Sequence, residues 1–549
     1  MKYKKDSNNQ KDTKKILVVI ETQKVKSYLF SSPFLRETRG ASLILDRLNR
    51  KESKKLISKF KGETVYLGGG SGRVLFDSRS NAEEFKNSLL ELYREQTINA
   101  RIAVEIVERK NNESFPEAVR RGVELCHQSK FSRFEGKTLI GGRWIRPCTS
   151  CGQEQAESIW HEFGEHRLCR SCYLKRQEIN RLYANIRPGR TELQRPLASE
   201  TVLKARYSDD FIFTTLSEYI ETEVFLPQDF DDIGGCSSPV NYMGFIYSDG
   251  DRMGETVQKL GKHFLNGREA KEAYTAFSKI TDMATRHAAV EAVLSVVGLQ
   301  KKTINGKESF YLPAEFIMAG GDDLMLVVPA HYALDVAIRY MELFQEKTKL
   351  KAHDFDGISL HKILPEGLTS SAGVVISHRQ FPASELMTLA GDLMKIAKRK
   401  ASKLAKQRII IGALDFMVLS DSSSAPIKER RKLEYIQKTP SGKTVHLTER
   451  PYTLEGCKEL LNAIRNFKKT KVPATKLKAL YPVIFKDTTI AQYEALIIKK
   501  RLRKTGVLSP ESPLAEFFNE LNVFPYRERK ESWSTPLSEL IEFYDYIRG

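Results

Sequence analysis

Phe316-Ile317-Met318-Ala319-Gly320-Gly321-Asp322-Asp323-Leu324-Met325-Leu326-Val327-Val328 is the stretch from which the rest of the chain can be read. Two apolar runs enclose a pair of glycines and a pair of aspartates. Apolar run, glycine turn, apolar run is the pattern of a β-hairpin. Two adjacent carboxylates at its tip are costly unless a cation neutralises them. The glycines permit positive φ and let a phosphate approach the backbone. A lone GGDD also fits an ordinary turn, so its surroundings must decide.

Met243 to Tyr247 is another apolar strand and ends at Ser248-Asp249-Gly250-Asp251. If the two strands are neighbours, carboxylates of Asp249, Asp251, Asp322 and Asp323 converge. Hard oxygen ligands suit Mg2+ or Mn2+, which keep waters and bind substrate phosphates. Two such ions lower the pKa of a ribose 3′-hydroxyl and stabilise charge at phosphorus. Ala270 to Val297 and Ala333 to Glu346 read as helices, and Ser371 to Ser377 as a strand. Ser384 to Ala405 is an amphipathic helix with Leu386, Leu389, Leu393, Ala397 and Leu404 on one face. Its end carries Lys395, Lys398, Arg399, Lys400, Lys403, Lys406 and Arg408, with no acidic residue from Leu393 to Arg408. Such a run is ordinarily a solvated face. Lys398 is the residue expected to meet a triphosphate, and the later ones RNA or solvent.

An upstream unit has the same order. Ile16 to Ile20 reads as a buried strand, followed by helix-compatible sequence through Leu43, Leu45 and Leu48. Val65-Tyr66-Leu67, Gly68-Gly69-Gly70-Ser71-Gly72 and Val74-Leu75-Phe76 form a second hairpin pattern. Ala82 to Glu95 is helical, and Ala100 to Val107 alternates like a strand. Matching the hairpins sets Gly68 and Gly69 on Gly320 and Gly321. Gly70 and Ser71 then fall on Asp322 and Asp323, and Glu21 near Asp249. The order predicts a structural duplication in which only one copy keeps the acidic site.

Between the units stand Cys148-x-x-Cys151 and Cys169-x-x-Cys172, with 17 residues between the pairs. Two tight turns bearing two thiolates each make a tetrahedral cage that suits Zn2+. Disulfides, the alternative, fit poorly with a chain lacking an export signal. His161 and His166 lie between the pairs and are read as surface residues. Cys126, Cys236 and Cys457 have no partner spacing.

The chain has 549 residues, 88 Lys+Arg against 69 Asp+Glu, and a net charge of +19. That length implies several domains, and the positive excess suits a polyanionic partner such as nucleic acid, or a nucleotide. Apolar runs such as Ile16 to Ile20 and Ile409 to Ile411 fall far short of the roughly 18 residues of a membrane span. Six lysines in the first 15 residues, followed by so short an apolar run, do not make a secretory signal. The expectation is a soluble cytoplasmic protein without a membrane partner. Its expected parts are a basic disordered tail (1–13), a first unit (14–140), a zinc element (141–176), a helical and linker region (177–239), a second unit (240–420) and a helical C-terminal domain (425–549), with Ser422 to Pro426 linker-like.

These motifs resemble the large, polymerase-like Palm subunit of type III CRISPR effector complexes. Leu35-Arg36-Glu37-Thr38-Arg39-Gly40-Ala41-Ser42 is similar to the start of the family's first Palm, and Val65 to Phe76 to its glycine hairpin. The four cysteines match the zinc element between the Palms. Ser248-Asp249-Gly250-Asp251-Arg252-Met253-Gly254 and Ala319 to Leu324 resemble the acidic motifs of the active Palm. Thr369-Ser370-Ser371-Ala372-Gly373-Val374, with Ser377-His378, resembles a later strand of that Palm, and Arg450-Pro451-Tyr452-Thr453-Leu454 the helical C-terminal domain.

The resemblance implies an α+β fold with two ferredoxin-like Palms. It implies a nucleotidyltransferase that binds two ATP molecules face to face and makes cyclic oligoadenylate messengers for antiviral defence when target RNA pairs with the guide. Asp249, Asp322 and Asp323 take the metal-ligand roles, with Asp251 beside them. Gly320, Gly321 and Lys398 serve one nucleotide, Gly68, Gly69, Gly70 and Ser71 the other, and Ser371 a base. Implied partners are a guide-RNA ribonucleoprotein with Cas-seven-like, Cas-five-like and small helical subunits, and target RNA. The first Palm begins near Ile16 with no His-Asp doublet before it, and Ala352-His353-Asp354 lies inside the second Palm, so no DNase activity is expected. A free-standing cyclase working without a guide and a non-catalytic RNA-binding scaffold remain alternatives. Templated polymerisation shares the two-metal chemistry, but no segment resembles a template channel.

Overall fold

The structure is a computed structural model. It describes residues 16–549 apart from 111–112, 133–144, 162–164, 185–210, 221–223, 228, 265–266, 305–306, 354, 356, 420–426, 470–473, 505–507, 509–512, 529–530 and 549. The basic tail, the Ser422–Pro426 linker and Asp354 lie outside the described residues.

Strand β1 (Ile16–Gln23) is central in a sheet with β2 (Glu63–Gly68), β3 (Ser71–Phe76) and β4 (Arg101–Glu108), in the order β2-β3-β1-β4. Every neighbouring pair is antiparallel. Helix α1 (Leu35–Arg47) lies between β1 and β2, and α2 (Arg79–Thr97) between β3 and β4, which is the ferredoxin-like arrangement. The unbroken apolar run of β1 reflects burial on both faces. Ile16, Val18 and Ile20 pack with α1 and α2, whereas Leu17 and Val19 pack with α3 (Phe115–Ser132).

The cysteine segment contributes a small hairpin, Ser158–His161 with Glu165–Leu168, and runs into α4 (Arg170–Ala184). This helix passes the expected boundary at 176 and packs on α1. A Cβ on Gly40 would stand 2.0 Å from the Lys175 carbonyl oxygen. Beneath the contact, Glu37 Oε1 accepts from Ser150 Oγ at 2.7 Å and from Arg176 Nε at 2.8 Å.

The second sheet contains β5 (Tyr242–Gly250), β6 (Glu315–Gly320), β7 (Asp323–Pro329), β8 (Ser370–His378), β9 (Ala413–Leu419) and β10 (Tyr452–Thr453), in the order β6-β7-β5-β8-β9-β10. Its first four strands repeat the topology of the first sheet. Helices α5 (Met253–His263) and α6 (Gly267–Val296) connect β5 to the β6–β7 hairpin, and α7 (Ala333–Lys351) leads to β8. Helix α8 (Ala383–Lys406) returns to β9, which runs parallel to β8.

The strand registers establish the duplication residue by residue. Gly68 pairs with Ser71 as Gly320 pairs with Asp323. Ile20 pairs with Gly72, one residue past Ser71, as Ser248 pairs with Leu324, one residue past Asp323. Glu21 and Asp249 are therefore equivalent, and so are Ser71 and Asp323.

Both units share one core. Met243, Phe245 and Tyr247 of β5 and Leu386, Met387, Ala390 and Leu393 of α8 join the cluster of Ile16, Val18 and Ile20. The region after 425 is helical, as expected, with helices Leu454–Lys469 and Thr488–Lys504 the longest there. It also holds a four-stranded sheet that the expected helical domain did not include. Its strands, Ile436–Lys438, Thr444–His446, Arg527–Glu528 and Ser532–Ser534, are two or three residues long, too short to show periodicity. Among the described residues, no helix is long and apolar enough to cross a membrane.

The Gly40 contact gives a prediction of unusual sign. Propensity alone favours Gly40→Ala by about 1 kcal/mol in a helix interior. The clash with Lys175 should instead make it a net loss of about 1–3 kcal/mol, read as a lower melting temperature. A rise in melting temperature would refute the contact.

Candidate active site

The two hairpins meet tip to tip. Each has a two-residue turn, Gly69-Gly70 and Gly321-Asp322. Positive φ values of 57° at Gly69, 78° at Gly70 and 61° at Gly321 explain the glycines. A Cβ on Gly69 would stand 3.0 Å from both Cα and N of Gly321. A side chain there would crowd the opposing backbone.

Helix α6 fastens both tips. Thr275 Oγ1 donates to the Val65 carbonyl of β2 at 2.9 Å. Seven residues on, Asp282 accepts from Arg50 of the first unit at 2.9 Å, from Arg286 at 2.7 Å and from the Gly321 backbone N–H at 3.0 Å. Thr285 Oγ1 donates to the Gly321 carbonyl at 2.7 Å. Although burial acts to raise it, Arg50 and Arg286 hold the Asp282 carboxyl below its ordinary value.

Three of the four anticipated carboxylates come together. Asp249 ends β5, and Asp322 and Asp323 sit at the hairpin tip on the neighbouring strand. Asp322 and Asp323 both lie close enough to Asp249 to feel its charge. Gly250 makes room for it, since a Cβ there would stand 2.9 Å from the Asp322 Cβ. Lys398 of α8 donates to Asp249 Oδ2 at 2.6 Å, and Tyr247 OH donates to Asp323 Oδ1 at 3.0 Å. Burial, then Asp323 and Asp249, push the Asp322 carboxyl well above its usual range. Burial and Asp249 push Asp323 up to about 7. The raised Asp322 and Asp323 carboxyls are of the kind a nearby cation relieves, while among the described residues only the four cysteines bring their ligand atoms all within 4.8 Å of one another.

Asp251 is turned elsewhere. Its oxygens accept from Thr369 Oγ1 at 3.0 Å and Ser371 Oγ at 2.7 Å, and burial raises its carboxyl to about 6. Ser371 is thus engaged with Asp251 beneath the site. Sequence reasoning missed Asp282, Arg50, Tyr247 and Lys26, which come from helices or a core strand and carry no motif.

The equivalent place in the first unit neutralises itself. Arg73, at the register position of Met325, donates to Glu21 at 2.7 Å, to Ser71 Oγ at 3.1 Å and to the carbonyls of Ile20 and Gly72. Gly70 packs on Thr22.

The four cysteines also converge. Their Sγ atoms all lie within 4.8 Å of one another, and none is in a disulfide. The 3.8 Å between Cys151 and Cys169 matches the edge of a tetrahedron with metal–sulfur bonds of about 2.3 Å. His161 and His166 stay outside this cluster.

Residues 242–406 match the family model described as Cas10/Cmr2, second palm domain. No curated protein matches the chain. Among solved structures it is similar to a Csm1-Csm4 cassette in complex with one ATP, at a TM-score of 0.55 and 13% identity, covering 98% of this chain and 70% of that one. A Csm1-Csm4 cassette in complex with cA4 gives a TM-score of 0.54, 13% identity and the same coverages. The Csm1-Csm4 subcomplex of a type III-A CRISPR-Csm interference complex gives 0.51 and 14%, again over 98% and 70%. At these identities the likeness is one of fold.

The raised Asp323 pKa sets a stability prediction. A carboxyl raised from about 4 unfolded to about 7 folded stabilises fully below pH about 4, and that stability is lost as pH rises through about 7. Asp323→Asn mimics the protonated form. Without divalent ions, its melting temperature should gain on the wild type between pH 5 and 8, and Mg2+ should favour the wild type. Parallel curves would exclude the shift.

Proposed function

We propose, from the match of residues 242–406 to the Cas10/Cmr2 second palm domain, that the chain is the large subunit of a type III CRISPR effector that joins ATP molecules into cyclic oligoadenylates when target RNA is bound. The observation that carries this reading is the convergence of Asp249, Asp322 and Asp323 at a hairpin tip opposed by the glycine tip of the other Palm. The Csm1-Csm4 cassettes of the same fold were crystallised with ATP or cA4.

Two nucleotides bound face to face between the Palms would be joined by attack of one 3′-hydroxyl on the α-phosphorus of the other. A P–O bond to the 3′-oxygen forms, the bond to pyrophosphate breaks, and the hydroxyl proton leaves. Asp249, Asp322 and Asp323 would hold Mg2+ or Mn2+, which when bound would acidify the hydroxyl and stabilise charge at phosphorus. The backbone at Gly320 and Gly321 lets phosphate approach, and Lys398 moves from Asp249 to a triphosphate. Gly68 to Ser71 line the second nucleotide. With Arg73 on Glu21, that half binds without metals of its own. Asp251 and Ser371 brace the β5–β8 edge from below.

Incubation of the assembled complex with ATP, Mg2+ and cognate target RNA should give cyclic oligoadenylates by mass spectrometry. Asp322→Ala/Asp323→Ala should lower the yield by at least about a hundredfold, the scale of losing a transition-state charge stabiliser. An unchanged yield would sink the assignment. Product formed equally by the isolated chain, without RNA, would identify a free-standing cyclase instead.

The cysteine cluster is proposed as a structural Zn2+ site, because four thiolates fill a closed tetrahedron and leave no open position. Elemental analysis should find about one zinc per chain. Cys148→Ser/Cys151→Ser should lose the metal and lower the melting temperature. Metal-free protein of wild-type stability would overturn this.

A further inference from the structure

Lys26 belongs to the first Palm yet lies at the acidic site of the second. It sits on the short helix Val25–Leu29 between β1 and α1. Its Nζ stands 3.9 Å from the centroid of the Tyr247 ring, and the hydroxyl of that ring donates to Asp323 at 3.0 Å. The opposite wall is Gly391 of α8. A Cβ there would stand 2.7 Å from Lys26 Nζ and 3.3 Å from the Tyr247 ring, so glycine opens the slot. The charges facing Lys26 are Asp323, Lys395, Asp392 and Asp249. An ammonium on the ring face draws electron density from the phenol and strengthens its O–H as a donor. Lys26 thus acts on Asp323 both directly, as a nearby positive charge, and through Tyr247.

A second lysine fixes the helix that carries it. Lys175 of α4 is completely buried. Its Nζ donates to the Tyr28 carbonyl and to Ser31 Oγ, each at 2.7 Å, and lies 4.2 Å from the Tyr28 ring centroid. Lys175 follows Cys172 by three residues, on the helix that grows out of the cysteine cluster. The cluster, α4, Lys175, the Tyr28 turn, Lys26, Tyr247 and Asp323 form one chain of contacts.

Resting on the proposed reaction at that site, we propose that Lys26 is a positioning residue for Asp323. It is supplied across the Palm interface and held in place by the cysteine-bound helix through Lys175. The cysteine element thereby serves the active site of the Palm to which it is not docked.

The test uses the full chain in its complex, with Lys26→Met, Lys26→Arg and Lys175→Met. Lys26→Met should lower kcat on the order of tenfold to a hundredfold, as loss of an outer-shell partner does, with the KM for ATP within about threefold. Lys26→Arg should recover most of that loss. Lys175→Met should keep its zinc and show the same kcat-directed loss. Because both lysines act through one helix, the double variant should be no slower than the worse single one.

Direct Mn2+ titration gives a readout independent of turnover. Removing a cation from beside three carboxylates should tighten Mn2+ binding by Lys26→Met about tenfold, the scale on which a neighbouring unit charge acts. A merely structural lysine would weaken Mn2+ binding when lost. Wild-type kcat in Lys26→Met, multiplied losses in the double variant, or weaker Mn2+ binding would each overturn the inference. If the wild type makes no product, or Asp323→Ala stays active, the reaction assigned to the site is wrong, and the Mn2+ titration alone judges Lys26.

Discussion

The closeness of Gly69 to Gly321 is the constraint on which the rest of the molecule depends. Two backbones separated by no more than a methyl group's width leave no freedom in how the Palms meet. A packed core must lie directly behind the contact, and Ile16, Val18 and Ile20 against Phe245 and Tyr247 provide it. Something must also tie both tips to one rigid element, and α6 does so through Thr275, Asp282 and Thr285. A side chain at Gly69 would press on the Gly321 backbone and shift the carboxylates against everything opposite them.

Electrostatics explains which charges gather there. Three carboxylates crowd one tip, and cations reach them from several directions. Lys398 comes from the same Palm and Lys26 from the other, while Arg50 and Arg286 meet one residue removed, at Asp282. The chain's excess of positive charge is therefore partly spent close to its few informative acids. The buried Arg39–Glu315 pair adds a further bond between Palms, with Arg39 Nε donating at 2.9 Å. A pair of this kind contributes more to geometry than to net stability.

Much of this was legible in the sequence because glycine turns between apolar runs are strong local signals. They fixed both hairpins, and aligning them gave the equivalence of Glu21 with Asp249 that the registers against the hairpin strands show. The paired C-x-x-C turns were equally readable. Residues that act across the interface were not. Lys26 and Asp282 lie on helices whose local patterns say nothing about a partner hundreds of residues away. The inward turn of Asp251 depends on Thr369 and Ser371, which join it only once β5 and β8 pair. The C-terminal sheet is built from strands shorter than any period.

The Arg73–Glu21 pair makes the duplicated fold unequal at its centre. Two like folds facing each other would form a palindrome, able to start from either side. Arg73 where the other copy has methionine, and Gly70-Ser71 where it has Asp322-Asp323, remove that equivalence without disturbing the register of a strand. One half then presents three carboxylates, and the other a single carboxylate already paired with arginine. The polarity is thus written in side chains laid on a common backbone plan.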